Sequence, residues 1–308
     1  MHFVALAFVI GVSTPLLAQQ FVPGTDSQPY PPHKMIGNIY YVGTNDVTSF
    51  LITTPAGHIL IDSGYEATVP IIEAAVQRVG FKMSDIKILL NSHAHIDHVA
   101  GMSALKKLTG AKLYVSEADA PVVESGGDFD FRWSKEYRWP KCVVDRKLKD
   151  LDKVELGGVT LIAHITPGHS MGATTWTMLV KDGTKTYNVV FLSSATINPG
   201  VVLTPGIAGF TRPGIAEDYA RSFKIWRSLP CDVFLGAHAA FFQMQRKYET
   251  PRNTSEGSAY VDPEGYKRHL DLMEKRFKDQ LTAEAAMPKL EAPPKAEPKA
   301  KPKKKSSK

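Results

Sequence analysis

The sequence predicts an α/β fold built from two similar halves, and three observations carry that reading. Short apolar, β-rich runs alternate with amphipathic helical stretches. A block of strands closed by a helix is followed by a second block of strands closed by helices. With 43% hydrophobic residues among 308, the chain has enough apolar side chain for a sizeable core in one unit. The halves share a pattern only, because no internal sequence repeat is detectable.

The elements follow in order. Residues 19–33 are rich in Pro and polar side chains and read as an extended arm. "NIYYVG" and "SFLITTP" are β-rich and separated by turn residues, while "HILIDSG" is a continuous apolar run ending in Asp-Ser-Gly. "TVPIIEAAVQRVGF" carries apolar residues three and four apart, as a helix closing near Gly80 would. "IKILLNS" is a buried strand, "VAGMSALKKLTG" a helix ending at Gly110, and "AKLYVS" the next strand. Residues 121–141 are irregular and aromatic, with Phe129, Phe131, Trp133, Tyr137 and Trp139, a composition that favours packing over a free loop. Each tryptophan there either anchors the loop to the body or forms a wall of a site. "VTLIAHITPGHS", "ATTWTMLV" and "NVVFLSSAT" are strands, "IAEDYARSFKIWRSLP" a helix, "CDVFLGAH" a buried strand and "EGYKRHLDLMEKRFKDQLTAEA" a final helix.

The ends differ from the middle. The first eighteen residues hold no Lys, Arg, Asp or Glu, and "PLLAQ" offers a small-residue exit after Ala18. Residues 1–18 are therefore expected to be a secretory signal, with the product periplasmic or secreted; an uncleaved anchor is the competing reading, but its apolar core is short for a span of about 20 residues. The folded domain is expected over 19–281 and a disordered Pro/Lys-rich tail over 282–308. From Leu281 onward there are eight lysines and three glutamates, so most of the net charge of +6 lies in the tail. A nearly neutral body argues against nucleic acid as a partner. No stable membrane insertion is expected, and the chain is expected to be a monomer. Cys142 and Cys231 fit no metal spacing; they pair in an oxidising compartment only if the fold brings them together, and two buried free thiols are the equal alternative.

The chemistry concentrates in "NSHAHIDH", where His93, His95, Asp97 and His98 occupy four of six positions after an apolar strand. His169 in "TPGHS" and His238 in "LGAH" also follow apolar strands. Sites in α/β proteins gather at the carboxyl ends of strands, so three separate segments would deliver imidazoles to one edge. In extended backbone His93, His95 and Asp97 form one row, and a turn after it would bring in His98. Three neutral imidazoles suit zinc and leave a fourth position open, as does one carboxylate with two imidazoles. A lone pair of histidines two apart is ordinarily a pair of polar residues; six candidate ligands, five histidines and an aspartate, at three strand ends are not. His33, His58, His164 and His269 keep the ordinary reading.

The HxHxDH pattern, the histidine of "TPGHS" and the histidine of "GAH" resemble the metallo-β-lactamase superfamily over about residues 37–277. The resemblance implies an αββα sandwich of two mixed β-sheets flanked by helices, with a dinuclear zinc site on one edge. "ILIDSG" matches as well, and Asp62 would either orient a ligand histidine or simply cap the turn. Many hydrolases of the superfamily place a metal-bridging aspartate after the strand that is here "VVFLSSATINPG", yet Ser194 stands at that position. Together with "TPGHSMGATTWTM", "RPGIAEDYARSF" and "LPCDVFLGAH", this is similar to the third subclass of class B β-lactamases. That implies two zinc ions per chain: one held by His93, His95 and His169, the other by Asp97, His98 and His238. Asp97 would be catalytic, Ser194 catalytic and substrate-binding, and Thr196 would meet the substrate carboxylate. The activity implied is hydrolysis of the β-lactam amide of carbapenems, cephalosporins and penicillins without a covalent acyl-enzyme, giving antibiotic resistance. A lactonase or another hydrolase of the same fold is the alternative, and a zinc carrier without catalysis a third reading. Walls are expected from the arm before His33, from 121–141 and from 201–214. Cys231 aligns with a cysteine that many members pair with a second one about 34 residues on, where this chain has Tyr266.

Overall fold

Strand β1 (His33–Ile36) begins a sheet that continues through β2 (Ile39–Tyr41), β3 (Phe50–Thr54), β4 (Gly57–Ile61), β5 (Ile86–Leu90), β6 (Lys112–Ser116) and β7 (Arg146–Leu148), neighbours in that order. The computed structural model describes residues 24–250 and 258–290; the expected signal at 1–18 and the last part of the expected tail lie outside the described residues. Pairing is antiparallel from β1 to β4 and parallel from β4 to β7. A second sheet runs β12 (Val233–Gly236), β11 (Lys185–Leu192), β10 (Thr174–Asp182), β9 (Val159–Ile165) and β8 (Lys153–Leu156), antiparallel except for the β11–β12 pair. Both sheets are mixed, as expected.

Period-two geometry explains the continuous apolar strands. Phe50, Ile52, Ile59 and Ile61 point into the core between the sheets, while Leu51 and Leu60 point to the opposite face. That opposite face is covered by α1 (Val69–Arg78), the short α2 (Ile96–Val99), α3 (Met102–Thr109) and α4 (Ala120–Ser125). With both faces buried, alternation of apolar and polar residues disappears. The second sheet is backed by α5 (Ile215–Ser228), α6 (Met244–Glu249) and α7 (Pro263–Ala285). On α7 the buried Tyr266, His269, Leu270, Met273 and Phe277 follow helical spacing, and Asp262 caps its start by accepting a hydrogen bond from the Gly265 amide at 2.8 Å. The layers are helices, sheet, sheet, helices.

One expectation changes, and one open alternative is settled. The boundary at 281 falls inside α7, which continues to Ala285; Glu284 is buried and accepts hydrogen bonds from the Leu203 and Thr204 amides, so 282–290 belongs to the folded body. A buried carboxylate receiving backbone N–H groups overrides the low-complexity composition around it. The cysteines are both free thiols, Cys142 buried and Cys231 half-buried. Where a pairing cysteine was in question, Tyr266 is buried and donates its hydroxyl to the Trp226 carbonyl at 2.9 Å.

Candidate metal centre

The carboxyl end of β5 leads directly into the histidine cluster. His93 and His95 are still extended, but α2 begins at Ile96, so Asp97 sits in the first turn of a helix and does not continue the extended row. The bend brings His98 back beneath His93, with ring centroids 4.2 Å apart. His169 lies in the turn after β9, where Gly168 adopts φ +141° and a side chain would strike the Tyr219 ring at 2.8 Å. His238 follows β12. All six expected ligands thus meet at one edge. One donor atom each from His93, His95 and His169 lies within 4.8 Å of the others, as does one each from His93, Asp97 and His98. His238 completes the cluster through Nε2, which is 3.5 Å from Asp97 Oδ2.

Four of the five imidazoles are gripped by the nitrogen that faces away from the cluster. His98 Nδ1 donates to Asp62 Oδ2 at 3.0 Å, His169 Nδ1 to the Thr196 carbonyl at 2.8 Å, and His238 Nδ1 to Asp46 Oδ2 at 2.9 Å. His93 Nδ1 donates to Ser92 Oγ at 3.1 Å, whose own proton goes to Asp62 Oδ2. These bonds put the proton on Nδ1 and leave the Nε2 lone pair directed at the centre. His95 is reversed: its Nε2 faces the Asp130 carboxylate at 3.4 Å, and its Nδ1 is 3.1 Å from His169 Nε2.

Electrostatics favour a cation here. Burial lowers the His93 and His169 imidazoles well below the usual range, and neighbouring histidines reinforce this, so both are neutral donors. Burial acts in the same direction on His98, but the Asp97 and Asp62 carboxylates overcome it and push that imidazole up to about 10, so the proton its Nε2 holds toward Asp97 is the one a bound cation would displace to free that lone pair. Burial alone would raise the Asp97 carboxyl, yet His98, His238 and His95 hold it far below the carboxylate range. His98 Nε2 is buried and has no hydrogen-bond partner, although Asp97 Oδ2 is 3.1 Å away. An unsatisfied nitrogen beside an ionised carboxylate, with a second imidazole opposite, is a donor set that fits a divalent metal.

The expected residues divide. Asp62 is fully buried, holds His98, and also accepts from the Ser92 amide at 2.6 Å. Ser194 is buried behind the cleft, and its hydroxyl lies 2.9 Å from Thr196 Oγ1; it is Thr196, with Tyr65, Ile96, Trp133, Tyr137 and Asn198, that lines the opening of about 210 Å³ over the cluster. Tyr219 donates to the Thr196 carbonyl at 2.6 Å, which fixes that segment. Of the expected walls, only 121–141 contributes directly to this lining among the described residues. Its tryptophans separate, with Trp133 on the cleft and Trp139 packed into the body. His33, His58 and His269 are buried away from the cluster and His164 is half-buried on β9.

Sequence reading missed Asp46, Asp119 and Asp130. Asp119 is fully buried and accepts from the Ala94 amide, Ser170 Oγ and the Gly172 amide at 2.7–2.9 Å, pinning the HAHIDH turn to the TPGHS turn. None of the three has a spacing signal, because their partners are distant in sequence.

Comparison with known proteins agrees with this geometry. The family model for the metallo-beta-lactamase superfamily matches residues 42–178. The native FEZ-1 metallo-beta-lactamase from Legionella gormanii is 44% identical, with a TM-score of 0.80 over 85% of this chain and 99% of that one. The class B3 di-zinc metallo-beta-lactamase LRA-12 from an Alaskan soil metagenome is 32% identical, with a TM-score of 0.78 over 86% of this chain and all of that one. Among curated proteins, a hydroxyacylglutathione hydrolase of Hyphomonas neptunium is 28% identical over 129 residues, 42% of this chain but only 41% of that protein.

Proposed function

The chain belongs to the metallo-beta-lactamase superfamily, and from that premise we propose that it is a zinc-dependent hydrolase of the β-lactam amide, of the third subclass of class B. The observation that carries the reading is the donor set: five imidazoles and one carboxylate converge from three strand ends, and the segment after β11, which holds Ser194 and Thr196, carries no carboxylate. Likeness to solved β-lactamases over nearly their whole length supports the same substrate class.

His93, His95 and His169 would hold one zinc ion, and Asp97, His98 and His238 a second. Bound there, zinc supplies Lewis acidity and water that is acidic enough to act as a nucleophile near neutral pH. The chain's own residues do the rest. Asp97, kept ionised, orients the attacking water. Thr196 Oγ1 receives the carboxylate that β-lactams carry, while Ser194 holds Thr196 in place. Trp133, Tyr137 and Tyr65 shield the reacting amide and tolerate varied substituents. No side chain forms an acyl intermediate, so chelators inhibit and serine-directed inhibitors do not.

The test is hydrolysis of a carbapenem, a cephalosporin and a penicillin before and after EDTA, with zinc added back. Turnover abolished by EDTA and restored by zinc is expected; carbapenem hydrolysis untouched by EDTA contradicts the reading. An acyl lactone and a glutathione thioester, assayed in parallel, address the alternative raised by the hydroxyacylglutathione hydrolase relative. Among the described residues no helix is long and apolar enough to cross a membrane. We place the activity in the periplasm or outside the cell, on the strength of the uncharged apolar start of the chain.

A further inference from the structure

Asp130 occupies an unusual position: it is a buried carboxylate in the middle of the aromatic segment, with each oxygen committed to a different task. Oδ1 accepts hydrogen bonds from the amides of Arg132 (2.7 Å) and Trp133 (2.6 Å), closing the turn that sets Trp133 over the cleft. Oδ2 faces His95 Nε2 at 3.4 Å, with only 4% of the Asp130 side chain and 7% of the His95 side chain exposed. The Trp133 and Tyr137 rings pack at a tilt of 44°, centroids 5.3 Å apart, and form the outer wall of the opening. At its far end the same segment is fastened separately. The Arg132 guanidinium lies 3.7 Å over the Trp133 ring and 4.2 Å over Phe210, and donates to the Pro199 carbonyl at 2.9 Å.

We infer that Asp130 is a positioning residue that couples the Trp133–Tyr137 wall to the His95 ligand. The inference rests on the reading of His95 as a metal ligand through Nδ1. A carboxylate behind an imidazole fixes its ring and raises its donor strength, and losing such a partner typically lowers metal affinity about 10–100-fold. Because the other oxygen of the same carboxylate caps the loop turn, ring and wall share one rigid group. Coupling of this kind is reciprocal: metal that orders His95 must also order the wall. His238 and His98 have comparable carboxylates, Asp46 and Asp62; Asp46 lies in no segment that lines the opening, and Asp62, although three residues before the lining Tyr65, accepts from Ser92 and His98 and from no amide of its own loop. Asp130 alone among these three joins ligand and wall.

The experiment uses the full chain as wild type, Asp130→Asn and Arg132→Ala. Zinc affinity is measured by competition with a chromophoric chelator, and amide hydrogen exchange over residues 128–138 is followed with and without zinc. Asparagine keeps an oxygen for the two amides but presents an NH2 donor to His95. Asp130→Asn is therefore expected to lose affinity about 10–100-fold while metal-free exchange at Arg132 and Trp133 stays as in wild type. Arg132→Ala frees the outer end, so exchange rises and KM increases while zinc affinity holds within about twofold. In wild type, zinc slows exchange from Arg132 to Tyr137. Wild-type zinc affinity in Asp130→Asn, or exchange in the wild-type wall that ignores zinc, overturns the coupling and leaves the metal centre standing. Wild type that binds no zinc overturns the metal centre itself. Should Asp130→Asn fail to fold, the wild-type exchange comparison decides alone.

Discussion

Asp62 holds His98 from behind, with Oδ2 3.0 Å from Nδ1 and both side chains removed from solvent. The same carboxylate receives the Ser92 amide and hydroxyl, so it supports the turn carrying His93 as well. Both roles considered for it from sequence are served by one group, which the left-handed backbone at Asp62 (φ 63°) aims inward. Asp62→Ala strands three buried donors. Urea unfolding of the zinc-free protein is expected to show a loss of about 3–5 kcal/mol, and zinc retention a fall of about 10–100-fold. Unchanged stability with full zinc retention contradicts this account of the turn.

Thr196 lines the cleft, while Ser194 lies behind it. Thr196→Val keeps the shape and the backbone carbonyl that His169 uses, but removes the hydroxyl. A KM rise of roughly tenfold for a penicillin, with zinc content unchanged, matches the loss of one hydrogen bond to a carboxylate. Steady-state kinetics with metal analysis on the same preparation checks it; an unaltered KM removes Thr196 from substrate binding.

Much of the centre was legible because its ligands combine two local signals, an apolar strand and a histidine just past its end. HAHIDH, TPGHS and GAH each carry both. The α/β alternation in two similar halves was legible for a related reason, since strands buried on two faces read as unbroken apolar runs, whereas the αββα order followed only from the resemblance carried by the HxHxDH, TPGHS and GAH motifs. What failed was contact between distant positions. Asp46 meets His238 across 192 residues and Asp130 meets His95 across an irregular loop, where nothing periodic marks them. The bend at Ile96 was missed because α2 is a single turn, too short to show a helical repeat. The final helix reads through Ala285 in the sequence, but the domain boundary is set at 281 because the composition beyond is tail-like and the partners that bury Glu284 lie about 80 residues earlier.

Glu284 yields a truncation test. Ending the chain after Leu290 is expected to leave unfolding and kinetics at wild-type values. Ending it after Leu281 leaves the Leu203 and Thr204 amides without their acceptor, at a cost of about 1–3 kcal/mol for each buried group. Thermal unfolding of the two truncations separates the outcomes, and equal midpoints would remove the structural role of Glu284.

His269 gives a pH dependence remote from the metal centre. Burial against Phe234 and Phe241, aided by Arg276, lowers its imidazole to about 4 from 6.5. The unfolded chain therefore binds this proton more readily than the folded one between pH 6.5 and 4, and folding loses stability as pH falls through that window. The limit for this group is about 3 kcal/mol. His269→Leu removes the contribution, so its stability relative to wild type should rise as pH drops from 7 to 4.5. Parallel stability profiles of the two proteins would contradict the assignment.

The central claim is that residues from three strand ends hold two divalent cations. Anomalous diffraction at the zinc edge, from crystals of the full chain grown with zinc, tests it directly. The account predicts two peaks, one among His93, His95 and His169 and one among Asp97, His98 and His238. Zinc bound only elsewhere, or no peak between these segments, contradicts it.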